Sequence, residues 1–164
     1  MAYPPSETHD AVFSIPGMSA GPKLGIVLRG HALAEVDFLA ATVANKPPVT
    51  EPAQQVVAEL MAYFANPAWK FSLPLAGQGT AFQQRVWQAL QQIPSGEVCS
   101  YSQLAEQLHT GARAIGNACR RNPIPIIVPC HRVVALHGLG GYSGHVVGEQ
   151  LALKSWLLAH ESRH

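Results

Sequence analysis

The sequence predicts an α+β chain, with a small β-sheet and one helix in the first half and a mostly helical second half. Three observations carry this. Short runs rich in Val, Ile, Phe and Leu crowd the chain before residue 40. Apolar residues at helical spacing dominate after residue 50. Two Ser/Thr-x-x-Gln signatures, Thr80 with Gln83 and Ser100 with Gln103, each open such a stretch as a capping box.

Taken in order, Ala11–Ser14, Leu24–Arg29 and Leu33–Leu39 read as strands, with Gly30-His31 marking a turn. Lys46–Pro52 (KPPVTEP) reads as a loop, because prolines fix φ and remove donors. Ala53–Ala65 places Val56, Val57, Leu60, Met61 and Phe64 at a helical period. Lys70–Leu75 reads as a last strand or an extended linker. Thr80 opens a helix running to Ile93, where Pro94-Ser95-Gly96 stops it. Ser100 opens Tyr101–Leu108, and after the turn His109-Thr110-Gly111 a third helix covers Ala112–Arg121. Two short helices joined by a Gly-containing turn form a helix-turn-helix pattern, one shared with many αα-corners. Pro123 and Pro125 forbid further helix, so Ile124–Val128 reads as extended and apolar. The last helix is expected over Val146–Ala159, with Leu151, Trp156 and Leu157 inward.

Composition narrows the class. At 48% hydrophobic and 13% charged, the 164 residues exclude a disordered chain. The length suits one domain or two small ones, and the change of character places them at 1–75 and 76–164. Three cysteines argue against a disulfide framework and for a reducing compartment, with Cys99 and Cys119 read as buried structural residues. No apolar run approaches the ~18 residues of a membrane span. MAYPPSETHD lacks a basic and an apolar signal region, so an intracellular, cytoplasmic protein is expected. The net charge of +1 conceals a division, with −2 over residues 1–79 and +3 over 80–164. No acid lies between Glu106 and Glu149, whereas Arg113, Arg120, Arg121 and Arg132 all do. Such a concentration suits a phosphate-contacting face or an ordinary solvated surface equally well.

Cys130 carries the chemical signal. It sits in Pro129-Cys130-His131-Arg132-Val133, where a histidine and an arginine both favour a thiolate. A polar Cys-His-Arg turn set into an apolar strand is hard to explain by packing. The eight histidines show no close metal-ligand spacing, so neither a metal nor a cofactor is expected.

Pro129-Cys130-His131-Arg132-Val133, Asn122-Pro123 upstream and Gly141-Tyr142-Ser143-Gly144 downstream resemble the O6-alkylguanine–DNA alkyltransferase (methylated-DNA–protein-cysteine methyltransferase) family. Phe82–Trp87, Ile93–Gly96, Ser100-Tyr101 and Trp156–Glu161 extend the resemblance over about residues 71–161. It implies a ribonuclease-H-like first domain and a second domain with a helix-turn-helix. It implies single-turnover transfer of the alkyl group from O6-alkylguanine in double-stranded DNA, with O4-alkylthymine as a second candidate lesion, by a monomer that is consumed.

Carried over residue by residue, the resemblance makes Cys130 the nucleophile. His131 is the base, acting through a water, and Glu161 orients it. Tyr101 shares a proton with the leaving guanine, Tyr142 lines the site, and Ser143 bonds near O6. The backbone at Cys130 and Val133 reads the guanine edge. Asn122 ties the third helix to the active-site turn. Arg113 fills the position of the flipped base. Ala112 and Ala114 allow close approach to the minor groove, with Arg120 at the phosphates. His145–Leu153 is a few residues longer than the commonest family pattern, and the zinc-binding cysteines of some family members have no counterpart. Two other classes remain: an alkyltransferase-like protein that binds lesions without a cysteine, and a helix-turn-helix regulator.

Overall fold

The computed structural model describes residues 8–18, 20–136, 138, 140 and 149–162. The chain divides into two compact units, Met1–Gln78 and Gly79–His164. Among the described residues no helix is long and apolar enough to cross a membrane.

The first unit is an antiparallel sheet of β1 (Ala11–Ser14), β2 (Lys23–Arg29) and β3 (Ala32–Leu39), in that order, with α1 (Glu51–Ala65). Ala11 pairs with Ile26 and Ile26 with Val36, so their side chains share one buried face. The turn after β2 uses Gly30 at φ +61°, a conformation that costs glycine little. Helix α1 starts two residues earlier than its apolar period suggests. Thr50 accepts from the Ala53 amide, and Pro52 sits in the first turn, where no N–H is needed. Lys70–Leu75 forms no strand. Leu75 makes one isolated bridge to Leu33, with flanking bonds between Leu33 N and Pro74 O (2.9 Å) and Ala76 N and Leu33 O (2.7 Å).

The second unit packs α2 (Ala81–Leu90), α3 (Tyr101–Gln107), α4 (Ala112–Arg120) and α5 (Glu149–Glu161) with a two-residue parallel pairing of β4 (Cys99–Ser100) and β5 (Val133–Val134). Both capping boxes form as expected, Thr80 with Gln83 and Ser100 with Gln103. Trp87 Nε1 donates to Ala118 O at 2.9 Å inside the unit, fixing α2 to α4. Arg85 donates to Leu108 O at 2.9 Å and satisfies a carbonyl at the end of α3. The turn before α4 takes its positive φ at His109 (+56°), while Gly111 is the extended N-cap.

Two expectations are corrected. Cys99 is only half-buried. On α5 the inward residues are Leu153, Lys154, Leu157 and Glu161, while Leu151 and Trp156 are half-buried. Trp156 instead stacks on His160, their ring centroids 5.3 Å apart. The expected start of that helix at Val146 lies outside the described residues.

Candidate active site

Ile124–Val128 is not the extended strand its sequence suggests. Val128 N donates back to Ile124 O at 2.9 Å, and Ile126 has φ +76°, the left-handed region that a β-branched residue avoids. Such backbone costs about 1–3 kcal/mol and persists only where the surroundings fix it. Asn122 does so here. Its Oδ1 accepts from Ile124 N at 3.0 Å, and its Nδ2 donates to Val128 O at 2.8 Å. The Ile126 side chain is buried, which offsets part of the cost. The turn delivers the chain into a short 3-10 helix, Cys130–Arg132, running into β5. The Cys-His-Arg segment is therefore held by a side-chain bracket and not by a strand.

Within that 3-10 turn, Cys130 and His131 are both buried. His131 Nε2 donates to Glu161 Oε2 at 2.7 Å, and both side chains are almost fully enclosed (0% and 1% exposed). Arg132 fixes the carboxylate from the other side. Its Nε donates to Oε1 and its Nη2 to Oε2, each at 2.9 Å, while Nη1 donates to Ile93 O at 2.6 Å. A bidentate guanidinium of this kind sets the carboxylate plane as well as its charge. Burial pushes the His131 imidazolium down from its usual range, against the pull of Glu161. The ring is therefore neutral, with its hydrogen on Nε2 and a lone pair on Nδ1. That Nδ1 is buried and has no hydrogen-bond partner among the described residues. The site thus holds one acceptor nitrogen in reserve, next in sequence to a thiol.

Burial pushes the Cys130 thiol up. A hydrogen bond from Asn122, the charge of Lys154 and a backbone amide oppose it. Tyr101, at the first position of α3, is pushed up to about 12, mainly by burial and further by Cys119 and Cys130, so it is a neutral phenol that can donate. Gly140 closes against this ring at φ +72°. A Cβ there would lie 2.8 Å from Tyr101 Cε2, so no larger residue fits without moving the tyrosine. Lys154 Nζ donates to Val133 O at 2.7 Å and lies 5.8 Å from the centre of the Tyr101 ring.

The structure thus gathers Cys130, His131, Glu161, Tyr101, Asn122 and Val133, all anticipated from the sequence. Tyr142 and Ser143 lie outside the described residues. Arg113, Ala112 and Arg120 are exposed along α4, and Ala114 is half-buried. Ala114, Asn117, Arg120 and Arg121 border a cavity of about 440 Å³ that reaches the start of α2. Two features went unread: the burial of Lys154 and the clamp of Arg132 on the Glu161 carboxylate. A lysine inside an amphipathic helix looks like surface, and no local pattern distinguishes this one. Among the described residues no group of three His, Cys, Asp or Glu side chains is placed to hold a metal ion.

A buried cysteine is followed by a histidine whose ring an enclosed carboxylate orients, two of the three relations found in a nucleophile–base–orienter set. Comparison with known proteins makes this more specific. Residues 81–163 match the family model described as 6-O-methylguanine DNA methyltransferase, DNA binding domain, and the chain belongs to that family. The methylated-DNA–protein-cysteine methyltransferase of Mycolicibacterium paratuberculosis is 49% identical over 111 residues, 66% of this chain and 64% of that one. The constitutive one of Bacillus subtilis is 46% identical over 103 residues, 61% of this chain and 60% of its own. The matched stretch therefore spans less than two thirds of these relatives. Mycobacterium tuberculosis O6-methylguanine methyltransferase superposes with a TM-score of 0.75 at 36% identity, covering 92% of this chain and 90% of that one. The same organism's OGT in complex with DNA gives 0.73 at 36%, covering 93% and 91%.

Proposed function

We propose that this protein repairs DNA by moving an alkyl group from guanine O6 to its own Cys130, irreversibly and once per molecule. One observation carries the reading. His131 bonds Glu161 through Nε2 and keeps a buried Nδ1 open as an acceptor beside the nucleophile.

The reaction is an in-line displacement at the sp³ carbon on O6. The thiol proton leaves by way of a water to His131 Nδ1, and Glu161 stabilises the resulting imidazolium. The sulfur–carbon bond forms as the carbon–oxygen bond breaks, and the negative charge passes to the guanine. Tyr101, a neutral phenol, donates toward that developing charge. The backbone at Cys130 and Val133 reads the base edge, with Ser143 and Tyr142 completing the pocket. The thioether has no route to cleavage, so the protein is spent.

A base inside a duplex must be flipped out, at a cost of a few kcal/mol. We assign α3 and α4 as a helix-turn-helix that enters the minor groove. Arg113 fills the gap, Ala112 and Ala114 permit close approach, and Arg120 lies at the phosphates. The first unit, ribonuclease-H-like in this reading, is structural, and residues 76–164 bind DNA and react. The partner is double-stranded DNA containing O6-alkylguanine, met by a cytoplasmic monomer. A lesion-binding protein without transfer is disfavoured by the nucleophile that occupies position 130.

Intact-mass measurement after incubation with DNA containing O6-methylguanine tests the reading. Wild type should gain one methyl group, and peptide mapping should place it on Cys130. Cys130→Ser should gain nothing yet still bind the lesion, because a hydroxyl is a far weaker nucleophile at neutral pH. Methylation elsewhere, or none in wild type, would overturn it.

A further inference from the structure

Helix α4 turns its two faces to different surroundings. Ile115, Ala118 and Cys119 are buried. Arg113, Asn117 and Arg120 are exposed, and their spacing of four and then three residues sets them in one line along the opposite face. Asn117 is the anomaly in that line. Asparagine is a poor helix former, because its amide competes for backbone groups. It stands in the helix interior, and among the described residues no hydrogen bond holds its amide. Local stability therefore does not account for it. Its neighbour Gly116 is a poorer helix former still, and a Cβ there would meet nothing within 4 Å. Neither packing nor a left-handed backbone requires that glycine. Asn117 also borders the cavity of about 440 Å³ between α4 and the start of α2, together with Ala114 and Arg121. The face thus has open room, arginines at both ends, and between them one amide engaged with nothing in the chain.

We propose that Asn117 is a specificity-determining residue that reads a guanine, in the minor groove, on a base pair beside the lesion. The inference rests on the reading of α4 as the helix that enters that groove. At 1.5 Å per residue Asn117 lies about 6 Å along the helix from Arg113, within about two base-pair steps of the flipped position. The minor groove offers acceptors at every pair but a donor only at G·C, the guanine N2 amino group. An arginine or lysine there can only donate, so it finds a partner at any pair. Asparagine does both. Its Oδ1 accepts from N2 and its Nδ2 donates to N3 of the same guanine. At an A·T pair that oxygen faces an edge made of acceptors alone. Arg113 and Arg120 hold DNA of any sequence, whereas Asn117 makes the rate of repair depend on the neighbouring base pair.

Duplexes carrying O6-methylguanine test this, with guanine or inosine placed in turn at each of the two pairs on either side of the lesion. Inosine lacks only the N2 amino group. For wild type the second-order rate of transfer to Cys130 should fall by about two- to tenfold with inosine at one of these positions. Asn117→Ala puts a better helix former at an exposed site, so it should fold, and it should lose that dependence. Inosine also weakens its own pair. That part persists in the alanine variant, so the readout is the ratio that the substitution removes. A 7-deazaguanine, altered only on the major-groove edge, should behave as guanine in both proteins. Equal guanine-to-inosine ratios in wild type and Asn117→Ala would overturn the proposal. So would a sensitivity to 7-deazaguanine that alanine removes, since Asn117 would then read the other groove. Affinities for the same duplexes, measured by fluorescence anisotropy, separate this contact from the repair reading. An Asn117-dependent ratio in binding, with no transfer from any duplex, sinks alkyl transfer and leaves the base contact standing. Transfer with equal ratios in both measurements sinks the base contact alone.

Discussion

His9 in the first unit and His131 in the second are both buried, and each reaches a carboxylate through Nε2, at 2.8 Å to Asp37 and 2.7 Å to Glu161. The surroundings differ. Asp37 is 34% exposed, and the second ring nitrogen of His9 faces Thr8 Oγ1 at 3.4 Å. Glu161 is 1% exposed, is clamped by Arg132, and leaves His131 Nδ1 open. The first pair is engaged at both nitrogens and links a residue just ahead of β1 to β3 across the central strand. The second is oriented at one nitrogen and kept available at the other. A buried His–carboxylate pair therefore says little about chemistry until the other nitrogen is accounted for.

The comparison breaks first at Glu161. Glu161→Gln should slow transfer by roughly 10²- to 10⁴-fold, the range expected when a base loses its orienting carboxylate. Asp37→Asn should leave the rate within about twofold. The second-order inactivation rate with methylated duplex DNA measures both, and equal losses would erase the distinction. His131 and Glu161 should also act as a unit, the double loss costing less than the product of the single ones. Strict additivity in the kinetic cycle would uncouple them.

Within the second unit, a residue that acts on DNA should behave differently from one that acts on sulfur. Arg113→Ala should cost about tenfold or more on duplex substrate, because flipping consumes a few kcal/mol. It should cost little on a free O6-alkylated guanine base, which is not stacked. A similar fractional loss on both would place Arg113 in the pocket or the fold.

Smaller effects concern stability. The folded imidazolium of His131 is depressed by burial below the unfolded value of about 6.5. The unfolded chain then binds the extra proton, so stability falls as pH drops below about 6.5, by up to about 1.4 kcal/mol per pH unit for one group. His131→Gln should flatten that part of the curve in urea melts, and an unchanged slope would mean that the ring titrates normally. Asp37→Asn should cost only about 1 kcal/mol in the same melts.

Local signals were legible in the sequence where their physics is local. Both capping boxes formed, because three-residue spacing fixes which side chain meets which amide. Cys130 stood out by its polar neighbours. The bond between His131 and Glu161 spans thirty positions and came from family resemblance, since no spacing rule reaches that far. Ile124–Val128 was misread because an apolar run flanked by prolines looks extended, and only the Asn122 bracket explains a left-handed isoleucine. Lys154 was invisible because burial of a lysine depends on what distant elements such as α3 and β5 place around it.

The length of that His131–Glu161 connection also orders events during synthesis. The ribosome delivers Cys130 and His131 well before Glu161, which ends α5. Until that helix exists, the histidine has no carboxylate to orient it, Arg132 lacks its two-toothed partner, and the Val133 carbonyl lacks the Lys154 ammonium. Cys130 on a nascent chain is then a thiol beside a histidine that no carboxylate yet orients. If the protein acts as proposed, reacting once and never being reset, it is thereby kept unarmed until α5 is made.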